Sequence, residues 1–188
     1  MKSMTKRLLA ALLAVAALFA LAGCSKSDKA DAAPKDYTKI LHDARPDEDN
    51  EYYMIFSPGE DGKFTAQYGY SDSYDAAQLD EEIRNMLLPL LNLEEDMYTD
   101  FAASVSGMMV QSYGIAIVKP AEGKQQAVSE ALDAYVQSQM QSMEHYLEDQ
   151  YQIAASSHIS TAPTGEVILV CCENSDAVLS AIKTALAA

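Results

Sequence analysis

The stretch that decides the fold is residues 101–118, FAASVSGMMVQSYGIAIV. Phe101 to Ser106 and Ser112 to Val118 are apolar, β-branched runs of strand length around Gly107, so they read as two strands joined by a turn. Pro120 to Gly123 closes the pair. A long helix follows, in which Val128, Leu132, Tyr135, Val136, Met140, Met143 and Leu147 recur at three- and four-residue spacing on one stripe. The same order then returns. Ser156 to Thr161 and Glu166 to Cys172 read as strands around the Ala162-Pro163-Thr164-Gly165 turn, and Asn174 and Ser175 start a final helix with Val178, Leu179, Ile182 and Leu186 inward. Two strand-strand-helix units in succession predict an α+β fold, an antiparallel sheet with helices on one face.

Working back from these units, Asp36 caps a short helix over Tyr37, Ile40, Leu41 and Ala44 that Pro46 ends. Asp47 to Glu51 reads as an acidic turn. Tyr52 to Phe56 and Lys63 to Tyr70 flank Pro58-Gly59-Glu60-Asp61-Gly62 as a hairpin. Asp75 with Gln78 forms a capping box for a helix presenting Leu79, Ile83, Met86 and Leu87, which Pro89 breaks.

The first 23 residues are of a different kind. Lys2, Lys6 and Arg7 precede an uncharged run from Leu8 to Gly23, 16 residues long. That is shorter than the ~18 to 20 needed to cross a hydrocarbon core, so it reads as a cleaved export signal. Leu21-Ala22-Gly23-Cys24 resembles a bacterial lipobox, which implies cleavage between Gly23 and Cys24 and a diacylglyceryl group, palmitate-like chains included, on the Cys24 sulfur. Two acyl chains at ~0.8 kcal/mol per buried CH₂ anchor stably where one does not. Residues 24–35 then read as a lipidated flexible tether of small and polar residues, and residues 36–188 as a single domain. The expected location is the outer side of the cytoplasmic membrane, lipid-anchored.

The chain has 188 residues and a net charge of −15. Loss of Lys2, Lys6 and Arg7 with the signal leaves 165 residues at −18. So acidic a chain is no nucleic-acid binder, because phosphate backbones select basic stripes. Its partners are expected to be the membrane, through the lipid on Cys24, and a protein or cell-envelope component.

The residues also carry a family resemblance. Tyr113 to Gly123, Tyr146 to Ala154 and Gly165 to Val170, with a weaker echo in Ala44-Arg45-Pro46-Asp47-Glu48, resemble an uncharacterised family of Gram-positive bacterial lipoproteins, domain of unknown function 4358. The resemblance implies a lipoprotein with an α+β domain. It implies no activity.

Candidate chemistry is sparse. Cys171 and Cys172 are neighbours on a strand and point to opposite faces; a disulfide across Cα atoms ~3.8 Å apart would be strained, so they read as small apolar residues. Asp47, Asp49 and Glu51 alternate as in a calcium loop, but Tyr52 holds the place of the required glycine. His145 with Glu144, Glu148 and Asp149 shares a helix, yet His42 and His158 are the only other imidazoles, and no metal is expected. Ser180 and Lys183 satisfy S-x-x-K without the motifs that accompany it in penicillin-recognising enzymes. There is no nucleophile elbow, phosphate loop or dinucleotide fingerprint, so no catalytic residue and no cofactor is assigned. Tyr52, Tyr53, Asp149 and Gln150 are the candidate interaction surface. The expected function is a non-enzymatic binding or interaction domain; a small-ligand or cation-binding lipoprotein is the alternative, and an enzyme the third reading.

Overall fold

In the computed structural model, which describes residues 34–108 and 110–188, the strand at the centre of the sheet is buried on both sides. This is β4 (Gly114–Pro120), in which Gly114 to Val118 are all buried. It pairs antiparallel with β3 (Tyr98–Val105), Ala103 opposite Ala116, and with β6 (Val167–Cys171), Ile117 opposite Ile168. β5 (His158–Thr161) closes one edge against β6. The hairpin β1 (Ile55–Pro58) and β2 (Phe64–Gln67) forms the other edge, joined where Phe56 faces Ala103. The strand order is β2-β1-β3-β4-β6-β5, and every pairing is antiparallel. The α+β class, the antiparallel sheet, and the helix and hairpin that precede the strand-strand-helix units therefore stand as read from the sequence.

The helices differ from expectation in their placement. Ile115 and Ile117 pack with Tyr37 and Leu41 of α1 (Tyr37–Ala44) and with Val178, Ile182 and Leu186 of α6 (Ser175–Ala187). Ala116 and Val118 point the other way, toward Val128, Leu132, Tyr135 and Val136 of α4 (Gln125–Met143). Ile83 and Leu87, which follow α3 (Ala76–Glu82), join that second layer. The two strand-strand-helix units thus deliver their helices to opposite faces, not to one. The cause is β4 itself: a strand apolar at every position from Ile115 to Val118 exposes apolar side chains on both faces, and each face needs a cover.

Three local readings also change. The acidic run after Pro46 is a helix, α2 (Asp47–Tyr52), because Asp47, Glu48 and Asp49 sit in its first turn, where the helix dipole favours negative charge. Pro89 does not end its helix. A π-type turn, Ile83–Leu87, widens the backbone first, so the proline opens a final turn, Leu88–Leu90, where its missing N–H costs nothing. The long helix stops at Met143, and Leu147 instead precedes α5 (Glu148–Ala155). The capping box at Asp75 is present as read, with Asp75 accepting from Ala77 and Gln78 and Gln78 accepting from Asp75.

One contact fixes how closely α4 approaches the sheet. The Tyr135 hydroxyl donates to the Tyr113 carbonyl at 2.8 Å, and a Cβ placed on Gly114 would lie 2.6 Å from the Tyr135 hydroxyl oxygen. Only glycine admits the ring. Gly114→Ala should therefore lower stability by about 1–3 kcal/mol in urea denaturation, the usual cost of overpacking, and Tyr135→Leu in the same chain should recover part of that loss.

Candidate functional site

The most concentrated polar chemistry surrounds Arg45. Pro46 stops α1, and Arg45, as its C-cap in an extended conformation, turns inward until only 5% of it is exposed. Its guanidinium makes four hydrogen bonds. Nε donates to Asn50 Oδ1 at 2.6 Å, Nη1 to Ser104 Oγ at 2.7 Å and to the Tyr113 hydroxyl at 3.1 Å, and Nη2 to the Tyr53 carbonyl at 2.6 Å. Asn50 in turn donates to the His42 carbonyl at 3.0 Å. Tyr53 stacks on Tyr113 with ring centroids 3.8 Å apart.

All four acceptors are neutral, so the balancing charge is Asp49, one residue before Asn50 on α2. Burial raises the Asp49 carboxyl above its ordinary value, against the opposing pull of Arg45 and a hydrogen bond from Tyr113. The Tyr113 phenol is pushed well up by burial, with Arg45 opposing. A guanidinium whose donors are spent on four segments of its own chain holds those segments together and has little left for a substrate. Sequence reasoning missed it, quoting Arg45 only within the family resemblance. A lone Arg beside an acidic run reads as solvated, and the signal that marks it, its place between a helix end and a proline, is weak.

The candidate interaction residues converge on one end of the sheet. Tyr53 stacks on Tyr113, while Gln150 Oε1 accepts from the Ser112 N–H at 2.9 Å, so the two flank the start of β4 from opposite layers. Tyr52 is 62% exposed beside Tyr53, and Asp149 accepts from Gln150 at 3.2 Å. Between these groups runs the β3–β4 loop. It is pinned by the Met108 N–H donating to Ser106 Oγ at 3.1 Å and by Gln111 N–H donating to the Met108 carbonyl at 3.3 Å. Met108 and Val110 stand exposed on it, and the buried Ser112 hydroxyl beneath has no partner among the described residues.

The other candidates stay apart. Cys171 and Cys172 are free and buried, one in each layer of the core. Burial pushes their thiols up to about 11 and about 12 respectively, so neither is a thiolate at neutral pH. Each histidine pairs locally, His42 with Asp43, His145 with Glu144 and His158 with Asp176, on separate elements. No group of three or more metal-ligating side chains gathers among the described residues. Ser180 and Lys183 line a shallow, open depression on the outer face of α6. Gly23 and Cys24, with the signal and most of the tether, lie outside the described residues.

At the opposite end of the sheet, where the chain enters the domain, Glu166 is buried. It accepts from the Tyr37 hydroxyl at 3.0 Å and from the Thr164 hydroxyl, and Lys35 reaches the Leu186 carbonyl beside it. Burial pushes the Glu166 carboxyl up, but the hydrogen bonds from Thr164, its own backbone and Tyr37, with the Lys35 charge, outweigh it and hold the group below its ordinary value.

Two tests follow from these clusters. Arg45→Lys replaces a planar fork by a point charge that cannot reach all four acceptors, and it should lower stability by about 1–3 kcal/mol in urea denaturation. Glu166, held below its ordinary value of 4.5, contributes stability that is fully present above that pH and is lost as pH falls through the lower folded value. Glu166→Gln should accordingly reduce the urea midpoint at neutral pH and flatten its decline in acid; a variant with the parent's acid limb would show that the carboxylate contributes nothing.

No helix among the described residues is long and apolar enough to cross a membrane. Comparison with curated proteins and with solved structures gives no match. Comparison with family models gives one match, to a domain of unknown function, over residues 71–172. This interval runs from the end of the hairpin through β3, β4, α4, α5 and β5 to β6, and leaves α1, α2 and α6 outside. With more than half of its length matched, the chain belongs to the family defined by domain of unknown function DUF4358.

Proposed function

We propose that this protein is a lipid-anchored domain on the outer side of the cytoplasmic membrane, which binds a protein or cell-envelope partner and carries out no reaction of its own. The observation that carries the reading is Leu21-Ala22-Gly23-Cys24, placed after a basic and then apolar leader and before a small, polar linker. The character of the folded domain supports it. The guanidinium at the centre of the polar cluster is engaged on four sides, the two thiols are kept protonated, and the three histidines sit on separate elements. Reactive groups held apart or saturated suit a scaffold for recognition better than a catalyst. Anchoring follows from the acyl chains, since a domain this acidic is repelled by anionic head groups.

Metabolic labelling with a fatty-acid analogue tests the anchor. The parent chain should take up label and sediment with membranes, and Cys24→Ser should do neither. Equal labelling of the two would overturn the assignment.

A further inference from the structure

We infer that the end of the sheet bearing the β3–β4 loop is the docking surface, and that it fits a protein whose contact face is apolar at its centre and basic at its rim. This deepens the binding reading above and rests on it. The first ground is direction. The chain enters the domain at Lys35, beside Leu186 and near Glu166, at the end of the sheet where Tyr98 faces Pro120. The loop between Val105 and Gly114 lies at the other end of β3, an eight-residue strand spanning about 25 Å. A lipid on Cys24 would attach the domain through its Lys35 end, which leaves the loop end free of the attachment.

Charge gives the second ground. Of the segments that meet at the loop end, residues 47–53, 144–151 and 172–176 contain Asp and Glu, residues 106–112 carry no charge, and none of the four contains Lys or Arg. The nearest cation, Arg45, is buried. Lys35, Lys119 and Lys124 lie toward the tether end. Anionic head groups repel the loop end, so a bilayer is the wrong occupant, and a basic protein surface is steered to it. The third ground is apolar exposure within that acidic frame. Met108 is 59% exposed, Val110 51% and Tyr146 76%, with Tyr52 at the side. Such side chains supply contact area at an interface, and methionine adapts its shape to the partner.

The test places a photo-crosslinking residue at Val110 in the full-length protein on intact cells, and in a parallel chain at Glu122, which is exposed in the turn after β4. Val110 should give a discrete protein adduct and Glu122 none. Met108→Asp, and separately the double reversal Glu144→Lys/Glu173→Lys, should each lower the Val110 adduct by about fivefold or more, as loss of an interface anchor does. All these side chains are exposed, so thermal melting should not change. An adduct from Glu122 alone would overturn this surface and leave the binding reading standing. Adducts from neither position would overturn the binding reading itself. A Val110 adduct that survives both sets of substitutions, or that consists of lipid or of a second copy of this chain, would overturn the proposed occupant.

Discussion

The structure depends on the burial of β4 from both sides. Ile115 and Ile117 on one face, and Ala116 and Val118 on the other, have almost no contact with water. Full burial of an isoleucine or valine stabilises by about 1.5–3 kcal/mol, so exposing either face would forfeit a large part of a small domain's net stability. Everything outside β4 answers that requirement. α4 and the helical stretch after the hairpin close one face, and α1 and α6 close the other. The sheet extends in both directions so that β4 has strand neighbours on either side.

A sheet covered on both faces still leaves its two ends open, and each is held by a different polar device. At the Lys35 end a carboxylate, Glu166, collects donors from Tyr37 and Thr164 and fastens the start of α1 to the β5–β6 turn. At the loop end a guanidinium, Arg45, joins α1 and α2 to β3, β4 and the approach to β1. Both groups are more than nine-tenths buried. Buried charges are tolerated where they are well supplied with hydrogen-bond partners: Arg45 makes four such bonds, and Glu166 accepts from two hydroxyls. Beyond Arg45, the β3–β4 loop leaves Met108 and Val110 exposed at this end.

Legibility followed the range of the interactions. The capping box at Asp75, the helix start at Asp36 and the opposite-facing pair Cys171 and Cys172 are decided within a few residues, and all were read correctly. So was the repetition of strand, strand and helix, because each unit is closed by its own turn. The helix after Pro46 was missed because side-chain pattern outweighed the dipole term for Asp47, Glu48 and Asp49. The passage of the chain through Pro89 was missed because the π-type turn that admits proline has no local sequence signal. Tyr52, Tyr53, Asp149 and Gln150 were chosen on residue type alone. That they gather at one end of the sheet depends on Tyr113 and Ser112, which lie about forty to sixty residues from them in sequence.

The amino-acid sequence by itself determined the six strands, most of the helices, their order, the antiparallel strand pairs and the lipobox reading, since each rests on neighbouring residues and on propensities that act locally. Only the tertiary structure decided which face each helix covers, and that Arg45 is buried and spent. Those outcomes depend on which surfaces are left uncovered once β4 is enclosed. The same constraint set the acidic segments and the apolar loop together at one end. A sequence records the charges of residues 47–53 and 144–151 separately, and their proximity exists only when the strands between them have been laid side by side.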